Sequence, residues 1–166
     1  MISSRFNGVV QSAEDVTEDE MTQILDVHVL GAFSLSRHAA RRMMRRGQGS
    51  IIYIASMASL FGIPNVVAYA AAKTAHLGLV RTLANEWLGR GVRVNAIAPG
   101  WILTDMSRTA FEKNPRRKEK VLGRTPMGTL GTPEDIGWAA AFLASSASRF
   151  ITGTCVPVDG GASIGF

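Results

Sequence analysis

The sequence predicts an α/β chain built on an open, parallel sheet, and three observations carry that reading. Long stretches with apolar residues every three or four positions alternate with short apolar runs rich in β-branched residues. The short runs are nearly continuous rather than alternating, as strands covered on both faces should be. Each short run is separated from the next by a helix-length segment, the spacing that a crossover between parallel strands requires.

The elements follow in order. Thr17-Glu18-Asp19-Glu20 reads as a capping box, in which the threonine hydroxyl and the glutamate carboxylate satisfy each other's orphan amides. The helix it opens has Met21, Ile24, Leu25, Val29, Ala32, Phe33, Leu35 and Ala39 on one side and runs to about Arg46, where Gly47 and Gly49 stop it. Ser50 to Ala55 is the first strand. A second long helix is predicted from about Val66 to Leu88, ended by Gly89 and Gly91. Val92 to Ala98 is the next strand, closed by Pro99-Gly100. Leu103 to Gly128 is polar and is assigned no element. Thr132-Pro133-Glu134-Asp135 places an N-cap before a first-turn proline and opens a helix to about Ala144. A last strand, roughly Thr154 to Val158, precedes Asp159-Gly160-Gly161.

Composition bounds the function. With 166 residues and 46% hydrophobic content, one core is expected, and residues 1–166 are read as one unit. No apolar run approaches the roughly 18 residues of a membrane span, and Met1 to Val10 lack the apolar core of a signal peptide, so a cytoplasmic location without membrane contact is expected. Cys155 is the sole cysteine and no Cys/His cluster has metal-ligand spacing, so neither a disulfide nor a metal is expected. A net charge of +5 raises nucleic acid as a partner. The clusters point elsewhere: Arg37, Arg41, Arg42, Arg45 and Arg46 gather at a helix end, where the dipole favours cations, and Arg116, Arg117, Lys118 and Lys120 form a solvated face. No nucleic-acid partner is expected.

Ligands of open parallel sheets bind beyond the carboxyl ends of the strands. That places the candidate site in the loops at Ser56 to Pro64, Pro99 to Thr104 and Asp159 onward. Ser56 ends the first strand, and Tyr69 and Lys73 lie one helical turn apart on the next helix. An ammonium one turn from a phenol favours the phenolate, which makes the pair a candidate acid–base group, with Ser56 holding a substrate oxygen at Tyr69. The structural alternative is a core tyrosine beside an exposed lysine.

The joint pattern narrows this. Serine thirteen residues before tyrosine, then Tyr-Ala-Ala-Ala-Lys, Val-Asn-Ala-Ile-Ala-Pro-Gly with Thr104 four residues beyond Gly100, Ile151-Thr152-Gly153 and Val158-Asp159-Gly160-Gly161 resemble the short-chain dehydrogenase/reductase family from about Ala13 to the C-terminus. The resemblance implies a Rossmann-like, doubly wound sheet and NAD- or NADP-dependent interconversion of a ketone and a secondary alcohol. It implies that Tyr69 exchanges a proton with the substrate oxygen, that Lys73 tunes Tyr69 and binds the nicotinamide ribose, and that Ser56 positions the substrate. Expected cofactor contacts are Tyr69, Lys73, Pro99, Gly100, Ile102 and Thr104. Asn95 matches a common family residue and is read as structural, bonding backbone. The resemblance is nearest to bacterial reductases of sugar-acid or acyl-chain keto groups, and Met106, Phe111 and Met127 either line an apolar substrate cleft or pack against the body.

Two departures stand out. Where the family has an asparagine in a run like Asp-Val-Asn-Leu, this chain has Asp26-Val27-His28-Val29, and His28 is either a replacement relay group or an ordinary half-buried histidine. Family members run to roughly 250 residues and begin with a strand and a Thr-Gly-x-x-x-Gly-x-Gly turn, whose glycines let backbone approach a pyrophosphate. These 166 residues contain neither that turn nor the Asn-Asn-Ala-Gly segment, so the N-terminal strands are missing from the expected sheet. Losing ~4 kcal/mol of phosphate contacts weakens affinity about a thousandfold, so weak or absent cofactor binding is expected of this chain alone. The first strand should also be left with an unpaired apolar edge, and a homo-oligomer is expected. Besides the oxidoreductase, two readings stay open: a catalytically silent, oligomerising remnant, and a cofactor-free hydrolase with Ser56 as nucleophile.

Overall fold

The computed structural model describes residues 10–165, apart from the side chain of Met106. The expectation drawn from residues 1–9 and the cleft role considered for Met106 lie outside the described residues. After a 3₁₀ turn at Ala13–Asp15, the chain forms α1 (Glu18–Leu25), a π-helical turn (Asp26–Gly31), α2 (Ala32–Arg45) and β1 (Gly49–Ile54). It continues through α3 (Val67–Trp87), β2 (Val92–Pro99), α4 (Asp105–Lys113), α5 (Pro115–Arg124), α6 (Pro133–Ala144) and β3 (Cys155–Val158).

The three strands form one parallel sheet in the order β1-β2-β3, with Gly49 opposite Val92 and Ile54 opposite Ile97 in the first pair and Ala96 opposite Cys155 in the second. Among the described residues β1 is an edge strand, as expected. Central β2 carries the core: Val92, Val94, Ala96, Ile97 and Ala98 are fully buried. Around Val92, Val94, Ala96 and Ala98, Ala40 of α2 and Val80, Leu83, Ala84 and Trp87 of α3 pack with Tyr53 and Ala55 as one cluster. The spacing of four between Val80 and Ala84, and between Leu83 and Trp87, is what turns one stripe of α3 toward the sheet.

Local chemistry explains the boundaries. Glu20 N–H donates to Thr17 Oγ1 and Thr17 N–H to Glu20, completing the capping box and lowering the Glu20 pKa below its ordinary value. Gly91 ends the α3 connection at φ 78°, and a side chain there would run into the Gly47 carbonyl, so the turns before β1 and β2 pack backbone to backbone. Asn95, fully buried on β2, donates to Ile151 O at 3.0 Å and accepts from Thr154 N–H at 3.2 Å, tying β2 to the segment that leads into β3. That is the structural role expected of it.

Two features differ from the sequence reading. The first long helix is interrupted by the π turn. Leu103 to Gly128, assigned no element, contains α4 and α5. Their caps are specific: Thr104 Oγ1 accepts Ser107 N–H, Asn114 Oδ1 accepts Arg117 N–H, and Pro115 takes the first helical position.

Candidate active site

Ser56 leaves the end of β1 with extended backbone, and its Oγ accepts the Ala58 N–H at 3.1 Å, forming the 3₁₀ turn Met57–Ser59. This fixes the oxygen while leaving its proton free to donate. Tyr69 and Lys73 project from the first two turns of α3 toward the same place. Together with His28, Ile54, Ala55, Pro99 and Gly100 they line one cavity of about 300 Å³ at the carboxyl ends of β1 and β2. A larger cavity, about 620 Å³ and lined by Arg46, Arg93 and Arg149, opens at the amino ends of those strands and holds none of these groups.

Lys73 Nζ lies 5.7 Å from the Tyr69 ring centroid and donates to the Ile54 carbonyl at 2.9 Å. Burial pushes the Lys73 ammonium below the ordinary lysine value. The His28 ring stands edge-on to Tyr69, centroids 5.9 Å apart and planes perpendicular. The site therefore brings together a hydroxyl, a phenol, a cation and an imidazole around one small space.

Ile102 and Thr104 stand apart from this lining. Ile102 bridges to Gly131 and faces a separate cavity with Trp101, Met127 and Asp159, while the exposed Thr104 uses its hydroxyl to cap α4. Gly100 permits the closest approach in this region: a Cβ there would lie 2.5 Å from Asp159 Cα, so only glycine lets the loop after β2 pass the end of β3. Of the cleft candidates, Phe111 is buried and Met127 is 73% exposed.

Sequence reasoning overlooked His76. It is 3% exposed on α3, one turn beyond Lys73, and its Nε2 lies 2.8 Å from the His28 carbonyl oxygen. A histidine on the apolar stripe that also carries Tyr69 and Lys73 was the available signal.

A family model described as enoyl-(acyl carrier protein) reductase matches residues 4–163. The chain belongs to the short-chain dehydrogenase/reductase family. It is 43% identical over 151 residues to the 2-dehydro-3-deoxy-D-gluconate 5-dehydrogenase of Bacillus subtilis (strain 168), which covers 91% of this chain and 59% of the relative. It is 41% identical to a galactitol 2-dehydrogenase (L-tagatose-forming) of Cereibacter sphaeroides, over 95% of this chain and 63% of that one. Among solved structures, the gluconate 5-dehydrogenase of Burkholderia cenocepacia J2315, in complex with NADP and tartrate, superposes with a TM-score of 0.88 at 32% identity, covering 96% of this chain and 63% of that one. This member of the short-chain dehydrogenase/reductase family thus spans about 60% of the length of the relatives it matches.

Proposed function

We propose that this chain carries the catalytic portion of an NAD- or NADP-dependent oxidoreductase that interconverts a ketone and a secondary alcohol. The observation that carries the reading is the single cavity lined by Ser56, Tyr69 and Lys73. Tyr69 gives its proton to the substrate oxygen during reduction and takes it back during oxidation. The Ser56 hydroxyl donates to the same oxygen and holds it at Tyr69. The Lys73 cation, 5.7 Å from the ring, stabilises negative charge developing on the Tyr69 oxygen.

Pro99, Gly100 and Lys73 would hold the nicotinamide end of a dinucleotide, because Pro99 and Gly100 line the cavity and Lys73 is held there by its bond to Ile54 O. When bound, that group supplies or accepts the hydride. These 166 residues contain no glycine-rich phosphate turn, so weak cofactor binding is expected of this chain alone. Homo-oligomerisation is part of the same reading, since among the described residues one edge of β1 carries no strand. The substrate class that the relatives suggest is a keto sugar acid or a polyol.

The hydrolase reading is disfavoured by the bonding of Lys73, which goes to Ile54 O rather than to Ser56. Replacing Tyr69 with phenylalanine should lower kcat about 10²- to 10⁴-fold, the usual contribution of a positioned acid–base group. Steady-state turnover of a keto sugar acid with NADH and with NADPH checks this. Absence of turnover with both nucleotides in the wild-type chain would favour the silent-remnant reading.

A further inference from the structure

The π turn at Asp26–Gly31 contains a carbonyl that meets a side chain 48 residues away. In a regular α-helix the His28 carbonyl accepts the N–H of Ala32, four residues on. Here the Ala32 N–H goes to Val29 O, and the His28 carbonyl oxygen meets His76 Nε2 at 2.8 Å. A carbonyl only accepts, so Nε2 must carry the ring proton and donate it. A side chain that inserts into a helix ladder opens it locally, and a π turn is one form this takes.

Resting on the reading of Tyr69 as the acid–base group, we propose that His76 is a positioning residue: its Nε2–H holds the His28 carbonyl out of the helical ladder, and the resulting π turn sets the His28 ring against Tyr69. The geometry closes a loop of contacts. Tyr69, Lys73 and His76 fall at successive turns on one side of α3, so the element that carries the phenol also carries the donor that shapes the opposing helix. His28 is fixed twice, through its backbone by His76 and through its ring against Tyr69. His76 itself is buried, 3% exposed, with the Tyr53 ring 5.2 Å away and Lys73 one turn before it. Burial lowers its pKa, the backbone carbonyls of His28 and Ile54 oppose that shift, and the charge of Lys73 adds to it, with the net direction downward.

The test uses the isotopically labelled 166-residue chain and three variants. Glutamine reaches as far as Nε2 and keeps a donor there; asparagine is one carbon shorter; leucine has none. Cross-relaxation between the His28 and Tyr69 ring protons is expected in wild type and His76→Gln, and is expected to vanish in His76→Asn and His76→Leu, with circular dichroism confirming that each is folded. If the leucine variant does not fold, the comparison of glutamine with asparagine decides. Ring contacts unchanged in His76→Asn, or absent in wild type, would overturn the proposal. On the oxidoreductase reading, His76→Asn should also lower kcat about tenfold at constant KM, with recovery in His76→Gln. An intact pattern of ring contacts without turnover in any variant would support the positioning role while refuting the oxidoreductase reading.

Discussion

Strands β1 and β2 lie side by side in the same sheet, yet their surroundings differ sharply. Five apolar side chains of β2, Val92, Val94, Ala96, Ile97 and Ala98, are fully buried, whereas on β1 Tyr53 is buried and Ile54 is 46% exposed. The difference comes from pairing. β2 has a strand on both sides, with α3 and α6 packed against it. β1 has one partner: Gly49 and Ala55 donate to Gly91 O and Ile97 O, so the odd-numbered residues face β2 and Ser50, Ile52 and Ile54 aim their backbone groups at the other edge. Among the described residues no strand occupies that edge. The candidate cavity sits on this seam, with Ser56 following β1 and Pro99 ending β2. A paired strand and an open one therefore meet at the site of the chemistry.

If that contrast is real, equal truncations should have unequal effects. Ile97→Ala on β2 is expected to cost about 2–5 kcal/mol, because the site is enclosed and little can collapse into the space; urea unfolding measures it. A cost below that of an Ile52→Ala control on β1 would break the comparison. Asn95→Ala is next, at about 1–3 kcal/mol, since it leaves the Ile151 carbonyl and Thr154 amide without their buried partner.

A smaller effect is set by pH. The folded-state pKa of His76 lies below the ordinary 6.5, so below about pH 6.5 the unfolded chain takes up a proton that the folded chain refuses. Its stabilising contribution is therefore present above that pH and is lost on acidification through the folded pKa. Thermal melts of wild type should fall more steeply than those of His76→Gln as pH drops below about 6.5, and parallel curves would show that His76 is not buried as described. The smallest effect on stability is expected at the open edge, where Ile54→Lys should shift unfolding by less than about 0.5 kcal/mol while reducing self-association in sedimentation experiments, because edge lysines discourage strand pairing.

The legible parts of the fold were those written in adjacent residues. The Thr17 capping box, the glycines after each long helix and the β-branched runs each act within a few positions, and β1, β2, α3 and α6 fall within a residue or two of where they were expected. The π turn was not legible, since residues around His28 keep a helical apolar spacing and the group that meets the His28 carbonyl, His76, comes from another helix. α4 and α5 were hidden because each buries little, Phe111 in one and Val121 in the other, so no apolar stripe announces them; their caps at Thr104 and Asn114-Pro115 were the signal available. In the candidate site, Ser56, Tyr69, Lys73, Pro99 and Gly100 were expected and do share one cavity with His28. Ile102 and Thr104 follow them in sequence but are diverted, one by pairing with Gly131 and the other by capping α4.

The most direct test of the account is hydride transfer itself. The purified chain would be incubated with a keto sugar acid and with NADH or NADPH deuterated at the transferring position, at millimolar nucleotide, and the alcohol product analysed by mass spectrometry. The account predicts slow formation of singly deuterated alcohol with one of the two nucleotides, reduced at least a hundredfold in Tyr69→Phe. No deuterated product from the wild-type chain, or equal product from Tyr69→Phe, would contradict it.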